Sequence, residues 1–107
     1  QRLRQWYKPA KGEEFAAYAP DRSKNRTEDG MSGLVVTNRR LIYNCSLRQK
    51  ETGKTRPTDM DFTMENGRLK LDIKTPDWEV KGLFVDKAGL ERLRRAMIAE
   101  QFNATWR

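Results

Sequence analysis

Histidine is absent from the 107-residue chain. Without an imidazole there is no Ser-His-Asp or Cys-His nucleophilic site, no histidine general base and no histidine-ligated zinc. Cys45 is the single cysteine, which excludes an internal disulfide and a multi-thiolate metal centre. A lone cysteine also fits a reducing compartment. Glycine is present at 12, 30, 33, 53, 67, 82 and 89, never in the spacing of a dinucleotide-binding or P-loop phosphate cradle. No run approaches the ~20 apolar residues of a membrane-spanning helix, and the basic N-terminus lacks the apolar stretch of a signal peptide. No internal repeat or low-complexity tract stands out. These absences point away from an enzyme and give no reason to expect a cofactor or metal.

Charge and a modest apolar content are what the chain does have. It carries 22 Lys+Arg against 15 Asp+Glu, a net +7, with 36% hydrophobic and 35% charged residues. That composition supports one small core in one domain. The chain opens on Gln1 rather than Met, which reads as a piece of a larger protein.

The pattern along the chain is mostly β. Residues 1–11 (QRLRQWYKPAK) read as a basic lead-in, with Pro9 interrupting any helix begun there. Glu13 to Tyr18 suits a short first strand, weakened by its alanines. Residues 19–32 are polar and loop-like. Leu34–Thr37 and Arg40–Cys45, joined by Asn38-Arg39, make a hairpin. Alternation places Leu41, Tyr43 and Cys45 on one face and Ile42 on the other. Cys45 on that face reads as a small core residue rather than a nucleophile. Residues 46–57 read as a second polar, basic loop turning at Gly53. Phe62 and Met64 then alternate with polar residues up to Asn66-Gly67, a pair suited to a type I′ turn. Beyond it Leu69, Leu71 and Ile73 alternate in turn, and Trp78 to Val85 forms a further strand in which Gly82 marks a bulge or bend. Asp86 suits a helix N-cap. Residues 87 to about 103 carry an apolar stripe of Leu90, Leu93 and Met97, flanked by Ile98 and Phe102.

The segment Gly33-Leu34-Val35-Val36-Thr37-Asn38-Arg39-Arg40-Leu41-Ile42-Tyr43 resembles the hairpin of bacterial pleckstrin-homology-like and GRAM-type domains. The order around it is similar too: an early Glu-Glu, further antiparallel strands, a final helix. The resemblance implies a mainly β chain with one α-helix, a bent antiparallel barrel of two packed sheets capped by the C-terminal helix, over residues 12–107. It leaves function open, because that fold hosts lipid binding, peptide binding and scaffolding. Within the motif, Thr37 and Asn38 suit a tight turn. Of the two arginines after them, one is expected in solvent and the other with its stem on the sheet and its head on carbonyls or a carboxylate.

The positive excess is local. Residues 1–11 contribute +4, and Arg48, Lys50, Lys54 and Arg56 against Glu51 contribute +3, which accounts for the whole net charge. Such clusters favour anionic partners. The basic pattern that lipid-binding relatives of the resembled fold carry has its nearest counterpart in Arg22, Lys24 and Arg26, offset by Asp21, Glu28 and Asp29. Asp59 and Asp61 share a strand face, with no third ligand for a metal evident. Trp6 and Tyr7 suit either a membrane interface or the domain's own surface. Nucleic acid is disfavoured, since the aromatics lie in strand runs and no recognition element is visible. The expectation is a cytoplasmic binding or scaffolding module, or one held at the cytoplasmic face of a membrane. Its leading partner is another protein; the alternative is an anionic lipid surface met through the basic loops.

Overall fold

The computed structural model describes residues 3–22, 31–45 and 48–107. Eight strands form two four-stranded sheets packed on each other, with a helix following the seventh strand. In the first sheet β1 (Phe15–Pro20), β2 (Ser32–Thr37), β3 (Arg40–Cys45) and β4 (Arg48–Gly53) lie side by side, antiparallel throughout. The second has the order β7 (Glu79–Val85), β6 (Arg68–Lys74), β5 (Thr58–Glu65), β8 (Ala104–Trp106). A short α1 (Leu3–Trp6) precedes the sheets, and α2 (Lys87–Ala99) lies chiefly across β1 and β2.

Period-two alternation builds the core. Leu34, Val36 and Leu41 of the first sheet meet Met60, Leu71, Ile73, Leu83 and Val85 of the second. Leu90, Leu93 and Met97 of α2 join the same cluster, all three buried, as their helical spacing predicts. Ala19 on β1 is small, and that smallness lets α2 approach: a Cβ on Gly89 would lie 3.5 Å from the Ala19 methyl. Ala19, in a stretch expected to be loop, is therefore the β1 residue against which the helix is seated.

The turns follow their local chemistry. Asn66 and Gly67 both have positive φ, 53° and 76°, between the paired residues Glu65 and Arg68. This is the two-residue type I′ hairpin. Gly82 has φ 79° where the β6–β7 register shifts, and its N–H donates to Asp72 Oδ1 at 2.8 Å. Asp86 caps α2 by accepting from the Gly89 N–H.

Four expectations are corrected. Residues 48–53 are the edge strand β4, not loop: Thr52 is buried opposite Leu41, and Lys50 lies half-buried opposite Tyr43. The helix ends at Ala99, because the chain turns through Gln101 at φ 61°. There the Phe102 N–H reaches Met97 O and the Gln101 N–H reaches Ile98 O, a Schellman closure without glycine. The residues beyond it form β8, which pairs parallel to β5, so the second sheet is mixed rather than antiparallel. Finally, Met64 and Ile98 are exposed at 63% and 64%. The β5–β6 hairpin tip runs past the edge of the core, and Ile98 falls off the buried stripe.

The N-terminal stretch lies on the outer face of the first sheet. Val35 and Ile42 point away from the main core and are buried instead under Tyr7, with Leu3, Trp6 and Tyr18 around them. Trp6 and Tyr7 thus dock on the domain itself. Among the described residues, no helix is long and apolar enough to cross a membrane.

Candidate functional site

The Thr37–Arg40 corner is the most densely bonded polar site. Arg40 Nε donates to Glu13 Oε2 at 2.7 Å and its Nη2 to Glu13 Oε1 at 2.8 Å. Its Nη1 pairs with Glu51, and Nη2 also reaches Lys8 O. Thr37 Oγ1 donates to Glu13 Oε2 and accepts from the backbone N–H groups of Arg39 and Arg40. The arginine fork, and less strongly the Ala10 amide and the Thr37 hydroxyl, hold Glu13 at a pKa of about 2 against the opposing effect of burial. Arg40 is raised further above its usual value, chiefly by Glu13. Arg39 is exposed, so the two arginines divide as their positions suggest. With the Glu13 side chain 1% exposed and every partner internal, this corner ties the lead-in and β1 to the hairpin and to β4.

The basic residues expected to meet an anionic surface stand in different settings along and just beyond β4. Arg48 is exposed at the start of β4, opposite Cys45. Lys50 follows on the same strand face. Lys54 lies in the turn beyond β4, where its backbone N–H donates to Arg39 O. Arg56 Nη2 contacts both carboxylate oxygens of Asp77 at 3.1 Å. Lys24 and Arg26 lie outside the described residues. Arg22 follows β1 and forms an ion pair with Asp86 at 3.2 Å.

Arg22 borders an open groove of about 370 Å³. Three elements meet there. The β5–β6 hairpin supplies Met64, Gly67, Arg68 and Leu69, the end of β7 supplies Phe84 and Val85, and the start of α2 supplies Asp86 and Lys87. The Arg68 guanidinium carbon lies 4.1 Å above the centre of the Phe84 ring, a cation–π geometry. Its Nη2 donates to Arg22 O at 2.9 Å, while the Arg22 N–H donates to Phe84 O. Asp86 Oδ1 accepts from the Gly89 N–H, and its Oδ2 meets Arg22. The Gly89 bond is the larger cause, and Arg22 adds to it, of a carboxyl pKa below its usual value.

Sequence reasoning named Arg22 only with Lys24 and Arg26 as a basic loop, and missed Met64, Arg68, Leu69, Phe84 and Lys87 as one surface. The signal was only indirect: an Asn-Gly turn and a helix cap each place their flanking residues at an end of the sandwich. That the two ends coincide is a fact of the three-dimensional packing.

Asp59 and Asp61 share a second hollow, of about 320 Å³, with Asp72, Lys74, Glu79, Lys81 and Arg107. Asp72 is engaged by the Gly82 N–H, and Asp59 lies 3.9 Å from Arg107. Among the described residues no group of three or more acidic or cysteine side chains could hold a metal ion. Cys45 is half-buried beside Tyr43, whose phenol is raised in pKa first by burial and then by the Cys45 contact.

Neither family models, nor curated proteins, nor solved structures give a match to this chain.

Proposed function

We propose that the chain is a non-enzymatic, pleckstrin-homology-like interaction module that binds a protein partner within or alongside a larger cytoplasmic protein. The carrying observation is the open groove between the β5–β6 turn, the end of β7 and the start of α2, with Met64 63% exposed at its edge. An exposed methionine beside leucine and phenylalanine is an adaptable apolar surface of the kind that receives peptide side chains. The element order supports the fold assignment: four strands, three more, then a helix lying across the first sheet.

The sheet edges offer less. Trp78 Nε1 occupies Glu51 O on β4, Arg92 occupies Tyr18 O on β1, and the Arg22 N–H occupies Phe84 O on β7. A partner strand would find these acceptors already taken, which favours the groove over strand addition. Contact with anionic lipid is the competing reading. It is weakened by the pairing of Arg56 with Asp77.

Selection of a random peptide library on the intact chain tests the proposal, with Met64→Asp as the control and sedimentation with phosphatidylglycerol vesicles in parallel. A sequence family enriched on the parent and lost on Met64→Asp is expected. No enrichment, enrichment indifferent to the substitution, or salt-sensitive vesicle binding with no peptide selected would refute it.

A further inference from the structure

The groove sets two chemistries side by side, and together they specify its occupant. Leu69 and Val85 form an apolar floor, with the exposed Met64 at its edge and Phe84 beside it. Among the described residues its rim carries Arg22, Arg68 and Lys87 together with the carboxylate of Asp86. Both oxygens of that carboxylate are engaged inside the fold, by the Gly89 N–H and by Arg22. The Arg22–Asp86 pair offsets its own charge, so the excess positive charge of the rim is carried by Arg68 and Lys87. Arg68 gives one N–H to Arg22 O and has its guanidinium against Phe84. A guanidinium has five N–H donors in all, so most of its capacity to bind a carboxylate is retained. Lys87 has no ion-pair partner among the described residues.

We infer that this groove binds an extended segment of a protein partner in which an apolar side chain is flanked by glutamate or aspartate. The inference rests on the interaction-module reading above and adds to it the chemistry of the partner. The apolar side chain would sit among Met64, Leu69 and Val85 and supply most of the affinity, because burial is the larger contribution. The carboxylates would meet Arg68 and Lys87 at the rim. There, exposed ion pairs add modest affinity but select the sign of the partner and speed its arrival. A concave site suits a chain laid into it better than a bilayer, which needs its apolar contact to project.

Chemical-shift mapping of the intact chain tests this with three short synthetic peptides. One alternates glutamate pairs with leucine and phenylalanine, the second replaces glutamate by lysine, and the third is polyglutamate. The first is expected to shift the amides of Met64, Leu69, Phe84 and Lys87, and to bind at least about tenfold more tightly than either other peptide. Raising salt from about 0.05 to about 0.5 M should narrow its advantage over the lysine peptide. Lys87→Glu and Arg68→Glu should each weaken the first peptide several-fold and improve the lysine peptide. Lys87→Glu breaks no ion pair among the described residues, so it decides the matter if Arg68→Glu loses stability. Equal binding of the acidic and lysine peptides at the groove would overturn the acidic preference and leave the interaction reading standing. No shift from any peptide would overturn both. Shifts at the same amides from phosphatidylglycerol vesicles alone would assign the site to lipid and overturn both as well.

Discussion

Arg40 shows how one side chain can fix the relation between distant parts of the chain. It joins Glu13, Glu51 and the Lys8 carbonyl from a single guanidinium. Removing it strands the carboxylate of Glu13, whose side chain is 1% exposed. Arg40→Ala should therefore cost about 3–5 kcal/mol, the usual penalty for breaking a buried pair. The same contact makes stability pH-dependent. Glu13 titrates near 2 in the fold against an ordinary value of 4.5. Because its folded pKa is depressed, its contribution of about 3 kcal/mol is fully present above pH 4.5 and lost as pH falls through about 2. Urea unfolding of the parent and of Arg40→Gln across this window checks it. The stability gap between them should shrink as the solution is acidified, and a gap independent of pH would be wrong for this account. The motif's glycine has an equally local reason. Gly33 has φ +133°, and a Cβ there would meet the Ala19 carbonyl oxygen at 2.3 Å, so β1 and β2 approach only because that side chain is missing. The Thr-Asn-Arg-Arg corner was legible because its spacing is short and its bonds are local. Its carboxylate partner was harder to find, because Glu13 lies 27 residues from Arg40.

Elements were legible wherever a hydrophobic period marked them. The hairpin at Asn66-Gly67 and the α2 stripe both carry such a period, and both stand where it places them. β4 carries none. Arg-Gln-Lys-Glu-Thr-Gly has no large apolar side chain, and this strand exists because β3 needs a backbone partner and Trp78 and Arg40 hold Glu51 in place. β8 is three residues long and pairs with a strand almost fifty positions away, beyond the reach of local pattern. α1 is too short to be stable alone. It persists because Leu3, Trp6 and Tyr7 cover Val35 and Ile42, two fully buried residues on the face of the sheet away from the main core. Tyr7→Ala should lower stability by about 2–4 kcal/mol, in the range of large-to-small truncations at buried sites. Thermal unfolding by circular dichroism measures this. A change below about 0.5 kcal/mol would mean that the lead-in is dispensable to the fold.

At the scale of the whole molecule, the two sheets and α2 share one core, and the groove lies where three of their ends converge. None of those ends is a site alone. Met64 and Arg68 come from a hairpin tip, Phe84 from the last turn of pairing before the helix, and Lys87 from the helix start. The groove keeps its shape only if the second sheet and α2 move as a unit; α2 lies chiefly across β1 and β2, and Leu93 and Met97 share one buried core with Leu71, Ile73 and Leu83 of the second sheet. Surface charge alone could not locate this site, because Arg22, Arg68 and Lys87 stand far apart along the chain. Native-state hydrogen exchange on the intact chain tests this coupling most directly. The amides of Leu93 and Met97 in α2, Leu71 in β6 and Leu83 in β7 should exchange with one common free energy equal to that of global unfolding. Exchange of the α2 amides at a distinctly lower free energy than the strand amides would mean that the helix opens by itself, and that the groove is not a standing feature of the fold.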